Sequence, residues 1–202
     1  WDLIGSWVHF AEADRTSTFL DGLRARFGAD RVTYARGCDP HKALEGGISE
    51  AVAAAAKSDV VLVALGLKAG ESGEAASLAS LTLPDAQRDL LESLKQTRKP
   101  IVILLVIGRP MELAREAELA DAVLLTWYPG TMAGEALADV VSGDYNPSGR
   151  LPMTFPRTVG QVPIHYDMKS TGRPADGSGK PNKYTSRYLD VPNSPQYCFG
   201  YG

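Results

Sequence analysis

Cysteine and histidine are both scarce in this chain of 202 residues, which has two cysteines and three histidines. Two cysteines are too few for a disulfide framework or a cysteine-rich metal site. We expect Cys38 and Cys198 to be free thiols, although the sequence also permits a single bridge between them. His9, His41 and His165 are scattered, with no Cys or carboxylate at the spacing of metal ligands. The sequence therefore predicts neither a metal site nor a cofactor.

Long apolar runs and an excess of basic residues are also absent. The longest apolar run, Ile101–Ile107, has the length of a strand and is too short to span a membrane. The net charge is -3, which gives no electrostatic support for a nucleic-acid partner. We therefore expect no nucleic-acid and no membrane partner. Trp1–Ile4 lacks an initiator Met and has no feature of a signal peptide, so we expect the chain to be a piece of a longer protein.

Apolar runs alternate with helical patterns through most of the chain. The runs are continuous, as in parallel strands that helices cover on both faces. Strands are predicted at residues 59–66, 100–107 and 120–127, with a weaker strand at 31–35 and a short one at 151–155. Helices are predicted at residues 16–27, 49–57, 84–97 and 134–141, with Ser49 as the N-cap of the second. This alternation predicts an α/β fold with a parallel sheet.

The composition changes after about residue 143, where Pro, Gly, Ser and other polar residues become dominant. We predict an α/β sandwich domain over residues 1–158 and an extended, loop-rich tail of the same domain over residues 159–202. Within the tail, Gly177–Lys180 lacks the spacing and the preceding strand of a phosphate-binding loop. No nucleotide site is therefore predicted there.

A long loop with two carboxylates follows the strand that is predicted to end at Gly66. It carries Glu71 and Glu74 and runs to Pro84, where the next helix is expected to begin. Ligands of parallel α/β sheets bind beyond the carboxyl ends of the strands, and loops on rigid scaffolds often hold catalytic groups. Taken alone, however, the loop is better explained as a solvated surface with ordinary glutamates.

A set of short motifs, in a fixed order along nearly the whole chain, is more specific than any one of its members. The motifs are Ile4–Trp7, Leu81–Leu91, Gly108–Pro110, Trp127–Gly130, Gly134–Ala136, Gly143–Pro152, Thr171–Pro174, Lys183–Tyr188 and Phe199–Gly202. Together they resemble the C-terminal α/β sandwich domain of glycoside hydrolase family 3, especially that of bacterial periplasmic β-glucosidases.

The resemblance implies a three-layer sandwich with a mostly parallel six-stranded sheet, packed against an N-terminal TIM-like barrel of the same enzyme. In such enzymes the barrel supplies a nucleophilic Asp and the sandwich domain supplies a general acid/base Glu. The implied activity is hydrolysis of O-glycosidic bonds in a β-linked glucoside or oligosaccharide, in the periplasm or outside the cell. The isolated chain would be inactive because it lacks the nucleophile, and a homodimer is left open.

Glu74 is the residue that the resemblance implies as the acid/base, and the alternatives are Glu71 in that role or Glu74 as an ordinary surface glutamate. Glu74 lies ten positions before Pro84, where the family places this Glu. Glu71 shares the loop with Glu74 and would approach the sugar from the same side, which argues against Glu71 as the nucleophile. Trp7 matches an aromatic residue that helps clamp the aglycone sugar, and its alternative role is that of a core Trp. Trp127 is expected to pack against the end of the sheet.

The chain departs from the family pattern at several positions near the loop and in the tail. Many relatives carry Glu and Arg where this chain has Leu67 and Leu78, and Ser80, Met168 and Cys198 are further departures. The two leucines remove charge near Glu74, which indicates a subgroup with a different aglycone preference. The alternative to an enzyme is a non-catalytic carbohydrate-binding or structural packing module.

Overall fold

A computed structural model of the chain describes residues 1–169, 172–175 and 183–202. Its helices are α1 (Phe19–Phe27), α2 (Gly47–Ala56), α3 (Asp85–Lys95), α4 (Ala114–Leu119) and α5 (Ala133–Ser142). Its strands are β1 (Cys38–Asp39), β2 (Lys42–Ala43), β3 (Val61–Gly66), β4 (Ile101–Val106) and β5 (Ala122–Leu125). The motif residue Thr171 and the segment Gly177–Lys180 lie outside the described residues.

The main sheet is parallel, in the order β3-β4-β5, with Val63 opposite Ile103 and Ile103 opposite Val123. These are the three strands that the continuous apolar runs predicted, each shorter than its run. The central strand contributes to two separate apolar clusters. Ile103 packs with α2 and α3 residues such as Leu91, whereas Leu104 packs with α1 and α5 residues such as Leu137. Helices thus cover both faces, which explains why the strands are apolar without alternation.

The two helices on one face approach each other closely through glycines. A Cβ added at Gly22 of α1 would overlap the backbone carbonyl of Gly134 in α5. The α1 helix begins after Thr18, whose hydroxyl accepts from the Asp21 amide at 3.2 Å while Asp21 accepts from the Thr18 amide at 3.1 Å. This reciprocal capping explains why the helix begins later than the predicted residue 16.

Several predictions of secondary structure are wrong. The described residues form three parallel strands and a separate antiparallel pair, β1-β2, so the six-stranded sheet is not confirmed. Residues 32–37 contain neither helix nor strand, and Val32 packs against the α1–α5 side of the core instead. Ser49 lies inside α2, whose N-cap is Gly46 in the left-handed region at φ 71°. Helix α4 was not predicted.

The tail is joined to the sandwich by a bridge rather than by the predicted strand at 151–155. Phe155 pairs with Tyr197, and the Leu151 amide donates to the Tyr201 carbonyl at 2.8 Å. Phe155 is buried and its ring lies 6.1 Å from the ring of Trp127, which packs at the end of the sheet as expected. Cys38 and Cys198 are both free thiols. None of the described helices is both long and apolar enough to cross a membrane.

Candidate functional site

Three segments meet beyond the carboxyl ends of the parallel strands. They are the long loop after β3, Ile107–Arg109 after β4, and Thr126–Tyr128 after β5. Gly108 is where they come together, because a Cβ there would overlap the Ser72 hydroxyl and would lie 2.6 Å from the Tyr128 hydroxyl. The loop that carries Glu71 and Glu74 therefore lies at the carboxyl-end edge of the sheet, where the sequence predicted a ligand site.

The start of this loop is fixed to the scaffold by buried Gln87 of α3. The Gln87 side chain accepts from the Gly66 amide at 2.7 Å and donates to the Gly66 carbonyl, also at 2.7 Å. It donates in addition to the Pro40 carbonyl at 2.8 Å. A buried amide with its donors and acceptor satisfied in this way rigidifies its surroundings. The loop therefore begins from a defined point.

The next turn, Ala69–Glu71, is held by side chains from two distant segments. Asp2 accepts from the Ala69 amide at 2.9 Å, which ties the N-terminal segment to the loop. The Glu71 carboxylate accepts from the Lys68 amide at 2.8 Å and from Nε2 of His41 at 2.9 Å. His41 lies in the turn between β1 and β2, so the small antiparallel pair supports the same loop. Sequence reasoning missed this role of His41, because the contact joins residues far apart in the chain.

The environment of Glu71 favours its ionised form. Partial burial raises the pKa of the Glu71 carboxyl, but the hydrogen bonds from His41 and Lys68 outweigh this effect. The net result is a pKa below the ordinary value of 4.5. A carboxylate held in this way is a poor proton donor, which agrees with a structural role for Glu71.

Glu74 differs from Glu71 in both exposure and partners. Its side chain is exposed and forms no hydrogen bond with any described residue. Its neighbours Gly73 and Ala75 both have positive φ, at 111° and 59°. The loop therefore turns sharply around Glu74 and presents its carboxyl group to the outside of the domain. This position leaves the Glu74 side chain accessible from outside the described residues.

Trp7 lies beside the same turn and is not a core residue. Its side chain is 64% exposed, and its indole Nε1 lies against Gly73. The structure thus places Trp7 against Gly73, the residue that precedes Glu74 in the chain. An exposed indole offers a flat apolar surface with one hydrogen-bond donor.

A cavity of about 410 Å³ lies next to the loop, between it and the start of α3. His41 and Glu71 line one part, and Leu67 and Leu78 line another. Leu67 is buried and Leu78 packs against the core. Leu67 and Leu78 therefore form an apolar wall of this cavity.

Metal binding finds no support in the part of the chain that the structure describes. No three His, Cys, Asp or Glu side chains are grouped there so as to hold an ion. A second cavity, of about 440 Å³, lies between Arg109 and the tail and is lined mostly by apolar residues such as Pro156, Ile164 and Phe199.

Comparisons with known proteins extend this description. The sequence model described as "Glycosyl hydrolase family 3 C-terminal domain" matches residues 2–202. The chain is 44% identical to a periplasmic beta-glucosidase of Salmonella typhimurium, across 100% of this chain and 29% of that protein. It is 40% identical to a beta-xylosidase of Formosa agariphila, across 91% of this chain and 24% of that protein.

Solved structures agree with these sequences. A beta-glucosidase from Listeria innocua, in complex with isofagomine, is 42% identical and superposes with a TM-score of 0.94. This match covers 100% of the present chain and 28% of that chain. The chain thus spans less than a third of the length of each of these relatives.

Proposed function

The chain belongs to glycoside hydrolase family 3, as a C-terminal domain, and from this premise we propose that it supplies the general acid/base of a retaining β-glycosidase. Glu74 is the proposed acid/base. The observation that carries the proposal is the contrast within one loop: Glu71 is fixed in its ionised form by two hydrogen bonds, whereas Glu74 is exposed at the turn.

The chemistry assigns Glu74 two successive proton transfers. In the first step its carboxylic acid protonates the departing glycosidic oxygen while a nucleophile on another domain attacks the anomeric carbon. In the second step its carboxylate removes a proton from the water that hydrolyses the glycosyl-enzyme. The two carboxyl groups of a retaining site stand about 5–5.5 Å apart across the bond. The nucleophile must therefore approach Glu74 from its exposed side.

The proposed source of this nucleophile is an Asp on an N-terminal TIM-like barrel of the same enzyme. Relatives that are three to four times longer than the matched region support a further domain. Within the chain, residues 1–158 and the tail at 159–202 are proposed to act as one domain, because the Phe155–Tyr197 bridge joins them. We expect the chain by itself to be inactive.

The proposed substrate is a β-linked glucoside or oligosaccharide. One structure of a Listeria innocua beta-glucosidase mutant is in complex with laminaribiose, and another structure of the enzyme contains glucose. The Salmonella relative is described as periplasmic, which supports a periplasmic or secreted location for this protein. Trp7, beside Gly73, is proposed to contact the sugar of the leaving group.

The test compares Glu74→Ala with Glu45→Ala in the full-length enzyme, because Glu45 is exposed and lies before α2, outside the loop. For an aryl β-glucoside with a poor leaving group, Glu74→Ala is expected to lower kcat/KM by about 10²–10⁴-fold. For a dinitrophenyl β-glucoside, whose leaving group departs without protonation, the second step should limit turnover in Glu74→Ala. Added azide, which needs no general base, should then partly restore kcat by forming a glycosyl azide. Glu45→Ala should match the wild type.

Two results would contradict the proposal. The first is an unchanged rate in Glu74→Ala, which would favour a carbohydrate-binding or packing module. The second is hydrolysis of aryl β-glucosides by the purified chain of 202 residues, which would show that no second domain is needed.

A further inference from the structure

Arg109 spans the base of the turn that carries Glu74. A single guanidinium nitrogen, Nη2, donates hydrogen bonds to the backbone carbonyls of Glu71 and Ala76. These carbonyls lie three residues before and two residues after Glu74. One charged group therefore holds both ends of the short segment in which Glu74 is placed.

The segment between these two carbonyls does not favour its own conformation. Gly73 and Ala75 have φ of 111° and 59°, and Ala75 is a residue for which the left-handed region is costly. Ser72 is buried, whereas Gly73, Glu74 and Ala75 are exposed. A turn of this kind needs support from its surroundings, and hydrogen bonds to a charged donor are among the stronger available.

Arg109 is well placed to give that support because its own backbone is fixed. It follows β4 after Ile107, which is fully buried, and Gly108, on which Ser72 packs directly. The Arg109 side chain is half-buried, and its Nε is buried without a hydrogen-bond partner among the described residues. Among the described residues, the Arg109 side chain therefore forms its hydrogen bonds through Nη2, and both of them go to carbonyls of the loop.

We propose that Arg109 is a positioning residue, which sets the location of the Glu74 carboxyl group by clamping the carbonyls of Glu71 and Ala76. This inference rests on the proposed function of Glu74. Arg109 acts through the loop backbone and does not itself transfer a proton. Loss of the clamp would leave the chemistry of Glu74 intact but its position variable, and misplacement of a catalytic group by about 1 Å can cost about 100-fold in rate.

The first experiment measures the loop directly in the chain of 202 residues. Amide hydrogen exchange is compared in wild type, Arg109→Met and Arg115→Met at Glu71 and Ser72, whose amides are protected by hydrogen bonds to the Lys68 and Ala69 carbonyls next to the clamp. Met keeps an apolar stem but has no donor, and Arg115 is an exposed arginine that pairs with Glu92 away from the loop. We expect exchange in the loop to be about tenfold faster or more in Arg109→Met and unchanged in Arg115→Met. Unchanged loop exchange in Arg109→Met would overturn the proposal.

The second experiment measures catalysis in the full-length enzyme with two aryl β-glucosides, one with a phenyl and one with a dinitrophenyl leaving group. The dinitrophenolate departs without protonation, so its release depends little on Glu74. Arg109→Met is expected to lower kcat/KM by about 100-fold for the phenyl substrate and by less than about threefold for the dinitrophenyl substrate. A merely structural role would lower both equally, and that outcome would also overturn the proposal.

Arg109→Lys provides a milder variant if Arg109→Met does not fold. Its ammonium group keeps the charge but ends one bond short of the Nη2 position, so both loop exchange and the phenyl-to-dinitrophenyl ratio should fall between wild type and Arg109→Met. A Lys variant identical to wild type in both measurements would contradict the clamp.

The two proposals fail in different ways. If Glu74 is not the acid/base, the Glu74→Ala enzyme will have normal rates. Amide hydrogen exchange in the loop would still test the Arg109 clamp in that case. Conversely, a severe leaving-group-dependent defect in Glu74→Ala together with unchanged loop exchange in Arg109→Met would remove only the inference about Arg109.

Discussion

The indole Nε1 of Trp7 packs against the α-carbon of Gly73, so closely that a Cβ on Gly73 would come within 2.5 Å of it. Gly73 is therefore required twice, once by its φ of 111° and once by its neighbour. Through this contact the N-terminal segment and the Glu74 turn form one surface. A substitution at either residue should therefore change the conformation of the other.

Gly73→Ala is expected to displace Trp7 and to destabilise the chain by about 1–3 kcal/mol, the cost of a strained backbone. The measurements are the indole N–H resonance of Trp7, assigned by its loss in Trp7→Phe, and the free energy of unfolding in urea. Gly70→Ala is the matched control, because Gly70 has no atoms within 4 Å of an added Cβ. An unmoved indole resonance in Gly73→Ala would contradict the contact.

Trp7→Ala is expected to weaken binding of the leaving-group sugar. Contact between an aromatic face and a sugar contributes about 1 kcal/mol to binding. Its loss should therefore raise the KM for a β-linked disaccharide about fivefold. A methyl β-glucoside has no second sugar, so its KM should not change. Phe10→Ala is the control, since Phe10 is 98% exposed in the same segment. An equal rise in KM for both substrates would argue against a leaving-group contact.

The three parallel strands and the position of the loop that carries Glu74 could be predicted from the sequence, because each depends on a local pattern. β4 could be predicted because it is a continuous apolar run, buried on both faces of the sheet. The position of the loop after Gly66 could be predicted because β3 ends at that residue. The identity of Glu74 required the resemblance to a family. Residues 31–35 were predicted wrongly because Val32 is apolar yet packs without a strand partner.

The supports of the loop could not be predicted in the same way. His41 and Arg109 lie 30 and 38 positions from Glu71, which both of them contact. Such pairs are set by the packing of whole elements, so no spacing in the sequence indicates them. Gly108–Pro110 was visible as a motif, but only the structure shows that its Arg reaches the loop carbonyls.

The lowered pKa of Glu71 makes a prediction about pH and stability. A carboxyl group whose pKa is lower in the folded state stabilises the fold above its unfolded pKa and loses that contribution as pH falls through the folded pKa. The excess stability of wild type over Glu71→Gln should therefore be largest at about pH 7 and should shrink on acidification below the ordinary value of 4.5. Urea unfolding of both proteins across this range is the measurement. A difference that grows in acid would show that His41 and Lys68 do not favour the ionised form.

The ion pair of Arg88 with Glu116 tests how much a buried, paired charge contributes to the stability of the fold. Glu116 is 1% exposed, Arg88 Nε donates to its Oε1 at 2.8 Å, and its Oε2 is buried without a partner among the described residues. Arg88→Met would leave this carboxylate buried and unpaired, so we expect a loss of about 3–5 kcal/mol in the free energy of unfolding.

Two further variants separate the buried charge from the loss of an arginine as such. Arg88→Met combined with Glu116→Leu removes both charges and should recover most of the stability, because burial of an ion pair is itself costly. Arg115→Met breaks the exposed pair with Glu92 and should cost no more than about 1 kcal/mol. If Arg88→Met alone is as mild as Arg115→Met, then water reaches Glu116 and the carboxylate is not held in an apolar environment. If instead the double variant is no better than Arg88→Met, the pair contributes through packing of the arginine stem rather than through charge.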